Sequence, residues 1–219
     1  MAAPGRQLEA QPLATSLFPM FVKLHGKNVL VVGAGNIGEP KIRALLDTGA
    51  HIRVVALEAT ETVREWSRAG LLALQERGFI PSDLNGVFLA VIATAQRDLN
   101  ELGYAEAQKR NVLCNVVDVP EQCDFYYPAL VKRGDLQIAI STSGQTPALA
   151  RRLREQLEKQ FPPSYADWVA ELGATRRDIL KSNLTREQKR ELLMSLAARP
   201  AFEEMLAADS GQNEEGDAE

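Results

Sequence analysis

A chain of 219 residues with 45% hydrophobic and 25% charged side chains has the make-up of a globular protein, with room for one large domain and appendages. No apolar run reaches the length of a membrane span, and the N-terminus lacks the basic and apolar regions of a secretion signal, so a cytoplasmic protein making no membrane contact is expected. The formal net charge of −4 is uneven: after Arg199 come seven acids, Glu203, Glu204, Asp209, Glu214, Glu215, Asp217 and Glu219, and no Lys or Arg, which leaves a mildly basic body.

The basic residues are not interleaved with aromatics, which argues against a nucleic-acid surface. Cys114 and Cys123 form neither a Cys-x-x-Cys pair nor a disulfide framework. Cys114 lies in an apolar run and reads as a small core residue. His25 and His51 stand near predicted strand starts and read as structural or exposed. No zinc-like cluster is seen, so no metal site is expected.

Residues 1–16 read as a flexible lead-in. Leu17 to Leu24 is apolar and reads as a short strand or as cover for a sheet edge. Val29-Leu30-Val31-Val32 then runs into Gly33-Ala34-Gly35-Asn36-Ile37-Gly38. An apolar strand entering Gly-x-Gly-x-x-Gly and followed by a helical pattern is the order a dinucleotide-binding βαβ unit needs. Gly33 permits the turn, Gly35 lets the backbone approach a pyrophosphate, and Gly38 lets the helix pack close to the strand. Ile37, Ile42, Leu45 and Leu46 recur at helical spacing, Pro40 falls in the first turn, and Gly49 ends the helix. A second apolar run, Ile52 to Leu57, ends in Glu58. Glu58 follows Gly38 at the distance where an acid meets the adenosine ribose hydroxyls, and a carboxylate there favours NAD over NADP.

The stretch 60–69 reads as a helix and Leu71 to Leu74 as a short strand. Asp83 to Gly86 is a turn. Val87 to Ala93 is a buried strand ending in Thr94, which would line the nucleotide cleft. A helix over 99–110 and a strand over Val112 to Val117, ending in Asp118, follow. The alternation predicts a doubly wound parallel α/β sheet of the Rossmann type over 17–123. A carboxylate at the position of Asp118 suits a general base, a substrate orienter or a metal ligand, and equally a loop cap.

The pattern then changes. Residues 125–131 and 136–141 read as two strands around Arg133-Gly134-Asp135. In the loop Ser141-Thr142-Ser143-Gly144-Gln145-Thr146, Thr146 is expected to cap a helix with Pro147 at its first position. Four hydroxyls, a glycine and a helix N-terminus converge there, with Arg151 and Arg152 one turn further on, an arrangement suited to an anion. A small α+β segment over 124–161 is therefore expected. A helical region over 162–208 follows, with Trp168, Leu172, Ile179, Leu180, Leu192 and Leu193 as core. Thr185 and Gln188 have capping-box spacing. The acidic tail, 209–219, is expected to be disordered.

Three of these segments resemble a known family. Gly33-Ala34-Gly35-Asn36-Ile37-Gly38, Cys114-Asn115-Val116-Val117-Asp118 and Ile140-Ser141-Thr142-Ser143-Gly144-Gln145-Thr146-Pro147-Ala148-Leu149-Ala150 are similar to the precorrin-2 dehydrogenase/sirohydrochlorin ferrochelatase module. That module forms the N-terminal part of bacterial sirohaem synthase and also occurs free-standing. The likeness runs in order from about residue 17 to residue 160. It implies NAD-dependent oxidation of precorrin-2 to sirohydrochlorin on the route to sirohaem or cobalamin. Insertion of Fe²⁺ in the same cleft is a further activity of bifunctional members.

The resemblance places nucleotide contacts at Asn36, Ile37, Leu57 and Glu58, and an essential acid at Asp118. It sets Ser141, Thr142, Ser143 and Gly144 near the tetrapyrrole. The serine that some members phosphorylate is matched here by Thr142. It also implies a homodimer in which 125–160 interlocks between subunits. An arginine-flanked helix that carries Arg151 suits a substrate rich in carboxylates. The competing reading, a non-catalytic NAD-sensing regulatory module, accounts for Gly33–Gly38 and Glu58 but not for the Ser141–Pro147 loop.

Overall fold

A computed structural model describes residues 17–197. The expected lead-in over 1–16 and the acidic tail lie outside them. The described residues fall into two compact units, one ending at Tyr127 and one beginning at Pro128.

The first unit is a parallel five-stranded sheet. In chain order it has β1 (Asn28–Ala34), α1 (Gly38–Leu46), β2 (His51–Ala59), α2 (Glu61–Arg68), β3 (Ala73–Glu76), β4 (Leu89–Ile92), α3 (Arg97–Lys109) and β5 (Leu113–Val116). The strand order is β3-β2-β1-β4-β5. The order reverses between β1 and β4, which opens a crevice beyond the carboxyl ends of those strands, the place where open α/β sheets take ligands.

Apolar residues on both faces of β1 build the two cores. Val29 and Val31 pack on one side with Ile42, Leu45, Val54 and Val63. Leu30 and Val32 pack on the other with Val55, Ala90, Ile92, Ala107 and Val116. A strand covered on both faces needs continuous rather than alternating apolar residues, which is why this sheet reads so plainly in the sequence.

Three expectations shift. Leu17 to Leu24 forms no strand: Phe18 is 81% exposed and Phe21 68%, and Leu24 alone enters the core. The edge strand β3 begins two residues later than the apolar run Leu71–Leu74, because pairing with Arg53 to Ala56 of β2 sets its register. β2 runs on through Glu58 to Ala59.

The second unit opens with an antiparallel hairpin of β6 (Ala129–Arg133) and β7 (Leu136–Ile140). Gly134 turns it with φ at 57°, a left-handed conformation that glycine adopts freely. Helices α4 (Pro147–Gln160), α5 (Tyr165–Lys181) and α6 (Arg186–Ala197) follow. Arg133 ties the hairpin to the end of α4, its Nε donating to the Phe161 carbonyl at 2.7 Å. Phe161, Tyr165 and Trp168 stack edge to face, with centroids 4.9 and 5.5 Å apart.

The helical region expected over 162–208 is broken over 182–185, and its part beyond residue 197 lies outside the described residues. Thr185 and Gln188 form the expected reciprocal cap: the Thr185 amide donates to Gln188 Oε1 at 2.9 Å and the Gln188 amide to Thr185 Oγ1 at 3.2 Å. Of the six core residues expected here, Ile179 is buried, and Trp168, Leu172 and Leu193 are half-buried. Leu180 and Leu192 face outward, 47% and 39% exposed.

Candidate dinucleotide and substrate site

The glycine loop is shaped by close backbone contact. Gly33 has φ at 100°. A Cβ there would stand 2.3 Å from the Ala93 carbonyl oxygen, and one on Gly38 would stand 2.1 Å from the Gly33 carbonyl oxygen. Gly35 differs, since nothing lies within 4 Å of where its Cβ would be. Two glycines therefore bring β1, β4 and α1 together, and the third leaves a gap that a ligand's phosphates can fill. The Glu39 amide donates to the Gly35 carbonyl at 2.9 Å and starts α1. The helix N-terminus, with its partial positive charge, follows directly on the loop. Its composition and open Gly35 fit a dinucleotide pyrophosphate.

Glu58 is placed beside this loop by sheet register. Ala34 pairs with Ala59, and the Thr60 amide donates to the Ala34 carbonyl at 3.0 Å. Glu58 is solvent-exposed, as are Asn36, Ile37 and Leu57, the last two at 52% and 66%. Thr94 follows β4, and its methyl would touch a Cβ on Gly33 at 3.4 Å. Its hydroxyl donates to Asn100 Oδ1 at 2.7 Å, while Asn100 Nδ2 returns a bond to the Thr94 carbonyl at 3.1 Å. Asn100 is buried, so this pair fixes the start of α3 against the crevice wall.

Asp118 follows β5 in a tight turn, with the Val119 amide donating to the Val116 carbonyl at 3.1 Å. Its φ is 64°, and its side chain is exposed. Among the described residues it is one of three non-glycine residues in left-handed backbone, with Asn111 and Ser143. Such a conformation carries strain of about 1 kcal/mol or more, and Asp tolerates it better than most residues. The segment after it is held by Asn115, a buried amide that donates to the Phe125 carbonyl at 2.8 Å. Cys123 donates its thiol to the carbonyls of Val116 and Val119 at 3.2 Å each. Asp124 accepts the Cys114 amide at 2.8 Å. Burial pushes the Cys114 thiol up to about 12, in keeping with a core role rather than a nucleophilic one.

Lys41 also belongs to this region, although no sequence motif singles it out. From the first turns of α1 its Nζ sits over the Tyr127 ring, 4.0 Å from the centroid. Desolvation pulls the ammonium below the ordinary lysine value, while Asp118 and Cys123 act the other way. Desolvation likewise pushes the Tyr127 phenol up to about 12. A lysine in a helix reads as a solvated face, and nothing in the spacing announces a contact with an aromatic so far along the chain. Asn115 did leave a signal, as a lone amide inside an apolar strand.

In the second unit, the Ser141–Thr146 loop is organised by its own hydroxyls. The Ser143 amide donates to Ser141 Oγ at 3.1 Å and the Thr146 amide to Thr142 Oγ1 at 3.2 Å. Ser143 and Gly144 are both left-handed, at 50° and 79°. Thr146 occupies the N-cap position of α4 but its hydroxyl makes no capping bond. Thr142 instead takes up the Thr146 amide, which corrects the expected cap. Ser141 and Thr142 thus serve the turn itself. Arg151 is exposed and paired with Glu155 at 3.0 Å, one turn further along the helix. Among the described residues no cluster of three or more His, Cys, Asp or Glu could hold a metal, and no helix is long and apolar enough to cross a membrane.

The chain's likeness to known proteins follows the same division. Residues 20–129 match a family described as "Putative NAD(P)-binding", and residues 133–160 match one described as "Sirohaem biosynthesis protein central". "Siroheme synthase 2" of Pectobacterium atrosepticum is 42% identical over 158 residues, 72% of this chain and 34% of that protein. "Siroheme synthase" of Ectopseudomonas mendocina is 38% identical over 199 residues, 91% of this chain and 42% of that protein. The chain thus spans well under half the length of these curated relatives. The solved structure "SirC, precorrin-2 dehydrogenase" superposes with a TM-score of 0.75 at 28% identity, covering 90% of this chain and all of that one. With the glycine loop, the parallel sheet and both family segments present in order, the chain belongs to the NAD(P)-binding family, in the form that continues into the sirohaem-biosynthesis central segment.

Proposed function

We propose that this protein is an NAD-dependent precorrin-2 dehydrogenase, which converts precorrin-2 to sirohydrochlorin for sirohaem or cobalamin. The observation that carries the reading is the placement of Asp118 beyond β5, on the same carboxyl edge of the sheet as the glycine loop beyond β1. The likeness to a precorrin-2 dehydrogenase structure over its whole length supports it. The reaction removes one hydride and one proton from the substrate and yields NADH. When bound, NAD supplies the hydride acceptor.

The chain's own residues do the rest. Gly33, Gly35, Asn36, Ile37 and Gly38 hold the pyrophosphate by backbone approach. Leu57 and Glu58 meet the adenosine, and Glu58 repels a 2′-phosphate. Thr94 lines the crevice. Asp118 takes the proton from the substrate. Its turn holds the carboxylate out from the strand end, where a bulky macrocycle can reach it. Ser141, Thr142, Ser143, Gly144 and Arg151 bind substrate carboxylates. The protein acts as a cytoplasmic homodimer, with 124–161 as the dimerisation and substrate segment. Ferrous iron insertion into sirohydrochlorin, with Asp118 again the acid, is the second activity.

The test is purified protein with precorrin-2 and NAD, followed by NADH absorbance and by sirohydrochlorin formation in equal amounts. No NADH from a competent substrate preparation sinks the dehydrogenase and favours a sensor. Iron incorporation into purified sirohydrochlorin decides the second activity separately.

A further inference from the structure

We propose that Lys41 is a substrate-recognition residue: its ammonium, seated on the face of Tyr127 beside Asp118, takes one carboxylate of the tetrapyrrole and so orients the ring toward Asp118. The inference rests on the dehydrogenase reading and deepens it.

Lys41 differs from the ion-paired cations of this unit. Arg43 pairs with Glu39, Arg64 with Glu76, Arg77 with Asp83, Arg97 with Glu101, and Arg110 and Lys109 with Glu106. Lys41 instead rests on an aromatic ring, at 4.0 Å from its centroid. A half-buried ammonium on a ring is attracted to it but keeps its donors available, since a ring face satisfies charge without taking a directed hydrogen bond. Lys41 is also partly desolvated, and the counter-charge felt from Asp118 and Cys123 does not restore its ordinary value. An incoming carboxylate would restore it.

The position suits that role. Lys41 lies three residues after Gly38, so the loop that would hold the dinucleotide also fixes the start of its helix. Tyr127 is fixed from the other side. The Asn115 bond to the Phe125 carbonyl anchors the segment after β5, and the Phe125 and Tyr127 rings meet edge on at 5.8 Å. Lys41 thus links the helix that follows the glycine loop to the ring of Tyr127, and it feels the charge of Asp118 beyond β5. The other acids of the segment after β5 are engaged or turned to solvent. Asp124 is held by the Cys114 amide and by Gln108, and Glu121 is exposed.

The experiment compares wild type with K41M, K41R and Y127L. The readouts are steady-state kinetics in each substrate and titration of the coloured product sirohydrochlorin onto protein without NAD. Losing one charge-assisted bond should raise KM for precorrin-2 about tenfold or more in K41M. KM for NAD should stay within about twofold, and K41R should recover most of the loss. Sirohydrochlorin should bind K41M more weakly by a similar factor, and Y127L should show a smaller loss of the same kind. Thermal unfolding confirms that each variant is folded.

A K41M enzyme with wild-type KM for precorrin-2 and wild-type sirohydrochlorin affinity overturns the inference. So does a rise in KM for NAD alone, which would give Lys41 to the dinucleotide. If wild type forms no NADH, the reaction assignment falls, and sirohydrochlorin binding by wild type and K41M still decides what Lys41 does.

Discussion

Gly38 and Gly33 meet so closely that a methyl group on Gly38 would stand 2.1 Å from the Gly33 carbonyl oxygen. The contact is backbone to backbone, so neither partner can turn aside. It is this approach that brings the N-terminus of α1 up to the end of β1.

Alanine at Gly38 or Gly33 is expected to destabilise the protein by on the order of 3 kcal/mol, since the clash is with backbone and, at Gly33, φ is also left-handed. Gly35 serves as the contrast, because its Cβ would meet open space. G35A should unfold within a few degrees of wild type but bind NAD at least about tenfold more weakly, if a ligand phosphate occupies that space. Thermal unfolding and NAD titration of the three variants separate packing glycines from the ligand-facing one. A G35A protein with wild-type NAD affinity would remove the pyrophosphate from this loop.

Glu58 tests cofactor choice. The carboxylate is exposed at the end of β2 beside the loop, so a substitution there disturbs no core packing. E58R replaces repulsion of a 2′-phosphate by attraction. The ratio of kcat/KM for NADP over NAD should rise about tenfold or more, the effect of one added charge-assisted hydrogen bond. An unchanged ratio would leave Glu58 as a solvated acid.

The parts of this fold that could be read from the sequence are those set by burial on two faces. Val29 to Val32 supply side chains to both cores, and so does the pattern around Ile92 and Val116. Periodicity reports burial and little else. It left Leu17–Leu24 open between a strand and cover for a sheet edge; no strand forms, and most of its apolar residues are left exposed. It placed β3 early because the register of an edge strand is set by its partner. The candidate site was legible where chemistry depends on local spacing, as in Gly33–Gly38 and Glu58. It was not legible where side chains distant in sequence meet, as when Lys41 finds Tyr127. Nor does spacing say which hydroxyl of a loop takes which amide: Thr142 takes the Thr146 amide, and the Thr146 hydroxyl makes no capping bond to α4.

Acid stability should depend on Asp83. This carboxylate is 5% exposed and bonds Arg77 through both oxygens, at 2.6 and 2.9 Å. It also accepts the Ile80 amide at 3.0 Å. Arg77 holds its pKa below the usual aspartate value of 3.8, more than desolvation raises it. A lowered folded-state pKa gives stability that is fully present above the usual value and is lost as pH falls through the lowered one. D83N should therefore be less stable than wild type at neutral pH. Its stability should also fall less steeply than that of wild type below about pH 4. Denaturant unfolding across that range measures both slopes, and parallel curves would show that the pair adds no pH-linked stability.

Asp118 carries the proposed chemistry, and its backbone makes a clean test possible. At φ 64° most substitutions would add strain, but Asn adopts this conformation as readily as Asp. D118N therefore keeps the shape and the exposed position and loses the basicity. Its unfolding should stay within about 0.5 kcal/mol of wild type, as for an exposed surface change. If the carboxylate removes the substrate proton, kcat should fall about 100-fold or more while KM for NAD is kept. D118A gives the structural control: it shares the loss of the carboxylate and adds left-handed strain, so it should be less stable than D118N but no slower. A D118N enzyme turning over at close to the wild-type rate would leave this residue only an orienting role. A D118N enzyme with normal kcat but raised KM for precorrin-2 would assign it to substrate binding, the role proposed for Lys41. The two variants measured side by side thus separate the group that accepts the proton from the group that holds the ring in place.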